Sequence, residues 1–262
     1  MLSNTKRYFM IGLMLLFAVA MIAACGSNSG EENSPNENGQ INNEQSNNGQ
    51  ADANNTADAS GSRDIVHAMG TTTVEGKPER VVVLVNGMVD ISLALDLKPV
   101  GAVESWVQQP WYEYLRDDME DVVNLGLETQ PDLEAIVELD PDLILGSKSR
   151  HEKIYETLSD IAPTVMSETV YDWKDNMRLV AEATYRDAEA EVFFAEWDSR
   201  VADFKEKMGD RTDIEVSIIN FRADHARIYA AGYAGLILEE LGFKRPENQR
   251  VESRFAGSDA NP

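Results

Sequence analysis

Hydrophobic positions fall into three regimes along the chain. Residues 9–24, FMIGLMLLFAVAMIAA, are continuously apolar; residues 26–62 hold no aromatic and almost no large aliphatic side chain; beyond them, short apolar runs alternate with amphipathic stretches. In this third regime, residues 81–85 form a β-branched run of strand length, suited to a parallel strand covered on both faces. Residues 88–95 read as a short helix and residues 99–103, PVGAV, as a second strand. The order repeats in QPDLEAIVELDPDLILGSKSR. Pro131 suits the first helical position, and Asp132 and Glu134 complement the dipole of the first turn. Leu133, Ile136 and Val137 supply the buried face, Pro141 stops the helix, and residues 143–145 are the next strand. A helix over 151–158 and a strand over 161–165 follow. From Asp175 the pattern is helical, with Phe193, Trp197, Val201, Phe204 and Met208 recurring at spacings of three and four. Asp187 is placed to cap a second helix there. A helix over 188–208 would be about 30 Å long, enough to span a domain. Residues 214–221 read as a buried strand and 232–241 as a helix stopped by Gly242. Strand–helix–strand order throughout predicts an α/β layer fold.

The two earlier regimes set the compartment. Lys6 and Arg7 precede the apolar run, which ends at Cys25, the single cysteine. A basic start, a short apolar run and small residues before a cut site describe a secretory signal. The run is shorter than the roughly 20 residues of a spanning helix. Ile22-Ala23-Ala24-Cys25 resembles the lipobox of bacterial lipoproteins, which implies lipidation of Cys25 and palmitate-type acylation; the alternative is an uncleaved anchor helix. Residues 26–62 cannot bury enough surface to offset their ordering entropy and read as a flexible tether. With no further cysteine there is no intramolecular disulfide. A formal charge of −23 argues against a nucleic-acid partner, which needs a basic face. Any anion site must reverse that field locally with placed arginines or lysines.

Two such places stand out. Lys148 and Arg150 follow the 143–145 strand, and ligands gather at the carboxyl ends of strands in open α/β sheets. NFRADHARIYAAGYAG brings Arg222, Asp224, His225, Arg227 and Tyr229 to the end of the 214–221 strand, where desolvating charge is costly unless it is paired. Enzyme patterns are lacking. HEKIY opens like HExxH, but Tyr155 stands where the second histidine is needed. His67, His151 and His225 do not cluster in sequence, and there is no GxSxG elbow or GxxxxGK[ST] loop.

GKPERVVVL, ALDLKPVGAV, PDLEAIVELDPDLILGSKSRHEKIYETLSDIAPTV and FRADHARIYAAGYAG, behind a lipobox and an Asn-rich tether, resemble the iron-siderophore substrate-binding lipoproteins of bacterial ABC importers, from about Val66 to Pro246. SKSRHEKIY with NFRADHARIY is similar to the branch taking citrate-based and hydroxamate siderophores. The resemblance implies two α/β lobes joined by one long interlobe helix, with a small closure on ligand. The parts would be a signal peptide (1–25), a tether (26–62), an N-terminal lobe (63–172), the interlobe helix (173–209) and a C-terminal lobe (210–262). It implies a lipid-anchored, extracytoplasmic monomer that catalyses nothing, uses no cofactor and supplies no metal ligand, because the iron stays within the siderophore.

Carried onto this sequence, the resemblance puts Arg150 and Lys148 in the cleft from the first lobe and Arg222 and Tyr229 from the second. Arg227 either joins them or pairs with Asp224. Trp106, Trp111, Tyr112 and Trp173 would supply apolar wall, although Trp111 and Tyr112 could instead pack at the start of a helix over 112–118. Docking to the permease would use Asp90 on the first lobe. On the second lobe Leu236 occupies the matching position, so Glu239 or Glu240 would serve. Family members continue well past the equivalent of Pro246, so the expectation is an incomplete second lobe in a C-terminally truncated chain. The alternatives are a haem carrier of the same fold, for which Tyr229 or His225 would be the iron ligand to expect, a cobalamin carrier of that fold, or a non-functional remnant.

Overall fold

The structure, a computed structural model, describes residues 61–221, 223–224, 226–229 and 232–250. Cys25, the tether, Arg222 and His225 lie outside the described residues, as does the side chain of Arg227. The chain opens with an antiparallel hairpin of β1 (Ser62–His67) and β2 (Gly70–Glu75). There follow β3 (Val81–Val83), α1 (Asn86–Ala94), β4 (Gly101–Ala102), β5 (Val123–Asn124), β6 (Gly126–Leu127), β7 (Gln130–Pro131), α2 (Leu133–Glu138), β8 (Leu143–Ser147), α3 (Lys148–His151), α4 (Tyr155–Ile161) and β9 (Thr164–Ser167). The helices α5 (Trp173–Thr184) and α6 (Asp187–Met208) lead to β10 (Ile219–Phe221), β11 (Ala226–Ile228) and α7 (Gly232–Glu240).

Five strands make one sheet in the order β5-β4-β3-β8-β9, every neighbouring pair parallel. Side chains alternate across it, as a period of two requires. Val81, Val83, Leu143, Leu145 and Val165 face one apolar layer with Met88 and Ile91 of α1, Met177 and Val180 of α5, and Ile65 and Val74 of the hairpin. Val82, Ile144 and Met166 face the other layer with Ile136 of α2 and Leu158 of α4. The continuous apolar runs at 81–85 and 143–145 arise from this two-sided burial. The chain builds outward from β3 to β4 and β5, then returns to place β8 on the other side of β3. Strand order therefore reverses between β3 and β8, and the crevice at the carboxyl ends of those two strands is where an open α/β sheet binds ligands.

Several sequence expectations need correction. Pro131 is not the first helical residue: it pairs with Gly126 in a short ladder, and Asp132 caps α2 by accepting the N–H groups of Glu134 and Ala135. The expected helix over 112–118 shrinks to a single 3-10 turn, Glu113–Leu115. Asp187 is the first residue of α6 rather than its cap, and its carboxylate is taken by Arg63. The segment before it bends at Tyr185, which adopts a left-handed backbone (φ 57°), so α5 and α6 are two helices. The strand expected over 214–221 is neither that long nor buried. Only Ile219–Phe221 is a strand, and Phe221 is 79% exposed, because among the described residues β10 pairs with β11 alone and no helix layer covers it. Residues near Ile214 do pair with Lys244 beyond α7, the start of a second strand–helix–strand unit.

Arg63 and Tyr185 latch the hairpin to the helical pair. Arg63 Nη1 donates to Asp187 Oδ2 at 2.6 Å and to the Glu182 carbonyl at 3.1 Å, and its guanidinium lies 4.0 Å from the centre of the Tyr185 ring. The Tyr185 hydroxyl in turn donates to the carbonyls of Gly61 and Val74. Arg63→Ala removes the Arg63 contacts together, leaving those of Tyr185, and should lower the unfolding free energy by about 1–2 kcal/mol, read as a thermal or urea midpoint. A midpoint within experimental error of the parent would mean that the latch carries no stability.

Candidate functional site

The switch point of the sheet is built around a buried carboxylate. Glu128 sits in the turn between β6 and β7 and is only 4% exposed. Its Oε2 accepts the Asn86 backbone N–H at 2.9 Å and the Asn86 side-chain amide at 3.1 Å, serving the open N-terminus of α1, where the preceding Val85 offers no side-chain cap. Negative charge at a helix N-terminus is favourable for the same reason. Its Oε1 accepts Nε–H of Arg150 at 3.0 Å. One carboxylate thus joins the chain leaving β3 to the chain leaving β8.

Arg150 reaches it from the short helix α3, which starts directly at the end of β8. Its side chain is 30% exposed, so the guanidinium spans from a buried partner to solvent. Desolvation alone would lower its pKa, but the hydrogen bond and charge of Glu128, with Tyr171 beside it, hold it above the ordinary arginine value. Lys148, two residues earlier, is 3.4 Å from Glu168 in a largely exposed pair. Such a pair contributes at most about 1 kcal/mol and leaves Lys148 able to exchange partners. The adjacent end of β4 contributes Glu104, whose carboxylate accepts from Gln109 and Asn124, and Trp106, which is 52% exposed.

His151 supports the same corner from beneath. It is fully buried, its Nδ1 accepts the Ser147 N–H at 3.1 Å, and its Nε2 donates to the Glu128 carbonyl at 2.8 Å. Gly146 leaves room for the ring: a Cβ there would stand 2.6 Å from Met166 Sδ and 3.2 Å from His151 Nδ1. Burial, the largest influence, pushes the His151 pKa below the ordinary histidine range, against the pull of Glu128. The unfolded chain therefore takes up a proton near pH 6.5 while the folded chain does not, so this contribution is full above that pH and is lost as pH falls toward the folded pKa. His67, also lowered by burial, acts with the same sign. The urea midpoint should be lower at pH 5.5 than at pH 7.5; an equal or higher midpoint at pH 5.5 would contradict a neutral, buried His151.

The sequence-derived candidates divide into three groups. Arg150, Lys148 and Trp106 stand at the carboxyl edge of the sheet, as expected. Trp111 does not: it is 8% exposed and packs in the core with Leu115 and Met119, because the 3-10 turn that follows it folds the chain inward. Tyr112 is half-buried and stacks on Tyr114, ring centres 5.7 Å apart, while its backbone N–H donates to Ser105. Trp173 lies within an aromatic cluster, 4.9 Å from the ring of Trp197 and 6.1 Å from that of Phe193. Trp197 is accordingly not plain core; its indole N–H donates to Glu240 at 2.9 Å.

Trp173, Trp197, Asp90, Tyr114 and Tyr233 line one cavity of about 580 Å³, of whose lining neither Arg150 nor Lys148 is a part. Asp90 is half-buried there and accepts the Tyr114 hydroxyl at 2.7 Å; it does not stand free on an outer rim. Burial raises its pKa, with the Tyr114 hydrogen bond working in the other direction. Glu240 is likewise occupied, by Lys174 and Trp197, whereas Glu239 is exposed. Tyr229 is half-buried; its backbone bonds Ile218 and Arg245, both in the C-terminal segment. Glu128 escaped the sequence reading: a lone acid in a polar turn carries no periodic signal. Among the described residues no group of three or more His, Cys, Asp or Glu could hold a metal ion, and no helix is long and apolar enough to cross a membrane.

Comparison with known proteins fits this geometry. Residues 81–249 match the family described as Periplasmic binding protein. The chain is 42% identical over 247 residues to the probable siderophore-binding lipoprotein YfiY of Bacillus subtilis (strain 168), covering 93% of this chain and 70% of that protein. It is 39% identical over 180 residues to the achromobactin-binding periplasmic protein of Dickeya dadantii (strain 3937), covering 67% of this chain and 59% of the other. Among solved structures, Staphylococcus aureus SirA complexed with staphyloferrin B superposes with a TM-score of 0.68 at 49% identity, covering 71% of this chain and 65% of that one. The chain thus spans less than two thirds of the length of two of these three. A parallel sheet open at its switch point, and a family match running from β3 to the residues beyond α7, lead to one assignment: the chain belongs to the periplasmic binding protein family.

Proposed function

We propose that this protein is the lipid-anchored, extracytoplasmic binding component of an ABC importer and that it captures a ferric siderophore of the citrate or hydroxamate type. The observation that carries the reading is Arg150, held at the switch point of the sheet by a buried carboxylate, in a chain whose relatives are named for siderophore binding. The ferric complex is cargo, and its iron keeps its siderophore ligands. Its outer face presents carboxylate and hydroxamate oxygens, which a planar guanidinium engages with charge-assisted bonds about twice as strong as neutral ones. Lys148 adds a mobile second charge and Trp106 an exposed apolar surface. The protein's part is recognition and delivery, with no covalent step. Handover to the permease would leave Glu239 of α7 as an exposed acid for docking, and Cys25 would hold the protein at the membrane.

A haem carrier of the same fold needs an axial iron ligand. Both described histidines have both ring nitrogens engaged, His151 as above and His67 with Thr72 and Met69, so neither of these two is open as such a ligand. The test is titration of the full chain with ferric staphyloferrin B, ferric achromobactin, ferric citrate, a ferric trihydroxamate, haem and cobalamin, followed by tryptophan fluorescence. Saturable quenching by a citrate-type or hydroxamate ferric complex, with none by haem or cobalamin, is the expected result. Tight binding of haem or cobalamin alone would overturn the proposal.

A further inference from the structure

The guanidinium of Arg150 has two edges that can grip a two-oxygen group: a side edge made of Nε and one Nη, and an end edge made of both Nη groups. Glu128 Oε1 accepts from Nε at 3.0 Å, and the Tyr171 hydroxyl also interacts with the guanidinium, so a ligand meets the end edge beside Tyr171. The other oxygen of the same carboxylate is fixed by two donors of Asn86, and the peptide carbonyl of the same residue is fixed by His151 Nε2 at 2.8 Å. The Glu128 carboxylate therefore cannot turn away without breaking two bonds from Asn86, and its main chain is held by a third from His151. A long, flexible arginine at the edge of a cleft would otherwise lose rotamer entropy on meeting a ligand.

We infer that Glu128 is the positioning residue of the binding site: it locks Arg150 by its side edge and so presents only the end edge to the ligand. The inference rests on Arg150 being a ligand contact, as proposed above, and extends it to the geometry of the bound group. The ligand must offer a carboxylate, or a pair of adjacent oxygens, head-on to the two Nη atoms. Glu128 itself never touches the ligand. Its buried charge also offsets that of Arg150, so affinity comes from a pre-set fork rather than from excess positive charge, which fits a surface as acidic as this one.

A double-mutant cycle on the full chain separates positioning from general support. The parent, Glu128→Gln, Arg150→Ala and the double variant are titrated with ferric staphyloferrin B and compared by circular dichroism. Glu128→Gln should weaken binding roughly tenfold, and in the Arg150→Ala background it should cause no further loss, because residues acting through one another are not additive. Equal losses in both backgrounds, or parent-like affinity of Glu128→Gln, would overturn the inference. Parent-like affinity of Arg150→Ala would instead refute the site on which the inference stands. Glu128→Asp keeps the charge but draws the carboxylate back by one methylene, and it should show the same Arg150-dependent loss if Glu128→Gln fails to fold. In the parent protein, nuclear magnetic resonance should find an Arg150 Nε–H protected from exchange before any ligand is added; a freely exchanging Nε–H would overturn the inference without any variant.

Discussion

Arg150→Ala should weaken binding of an anionic ferric siderophore by about 1.5–3 kcal/mol, the usual scale for a hydrogen bond to a charged group and roughly 10- to 150-fold in Kd. The loss has two parts. One is the fork itself, which no neighbouring side chain can replace: Lys148 is a point charge already shared with Glu168. The other is the cation's own attraction for an anionic ligand, which is lost together with the partner of the Glu128 carboxylate. That carboxylate keeps its Asn86 donors, so the fold should survive with a modest drop in stability. Arg150→Lys should recover only part of the affinity, because an ammonium cannot be held by its side edge while presenting a planar pair of donors. Equal affinities for the parent and Arg150→Ala, measured by fluorescence titration, would remove the switch-point site from the account.

Ile144→Ala should have the largest effect on stability. Ile144 is fully buried at the centre of β8, pairing with Val82 on one side and Thr164 on the other. Its side chain fills the layer between the sheet and the helices α2 and α4. Truncating a residue of this kind costs about 2–5 kcal/mol, since neighbours on a hydrogen-bonded sheet cannot collapse into the space. For a folded unit of this size that corresponds to a fall in Tm of roughly 4–20 °C. Val137, expected from the sequence on the buried face of α2, is instead 57% exposed, so Val137→Ala is the matched control and should change stability by less than about 0.5 kcal/mol. Similar midpoints for the two variants would show that the second apolar layer is not a packed core.

What the sequence disclosed follows the physics of burial. The runs at 81–85 and 143–145 were legible because strands covered on both faces must be apolar at every position, and α6 was legible because its stripe repeats every three to four residues. The β1–β2 hairpin was not, because only Ile65 and Val74 are buried and its threonines look like tether. Residues 214–221 carry the same apolar signal as a buried strand, yet Ile219 and Phe221 are exposed; composition reports what a segment could bury, and not whether a partner layer is present. The site was half legible. Lys148 and Arg150 could be found from their place at a strand end. Trp111 was misplaced because an aromatic in a polar loop reads equally well as wall or core. The bond between Asp90 and Tyr114 was not legible because the partners are 24 positions apart. Glu128 was missed for a related reason: its importance comes from Asn86 and Arg150, which the topology of the sheet brings to it from 42 and 22 positions away.

The most direct test is an experimental structure of the chain with ferric staphyloferrin B bound. The account predicts the ferric complex at the carboxyl ends of β3 and β8, with a ligand carboxylate about 2.7–2.9 Å from the Nη atoms of Arg150 and Nε still on Glu128. A complex seated in the cavity beside Trp173 and Asp90, or one that leaves Arg150 without a contact, would contradict it.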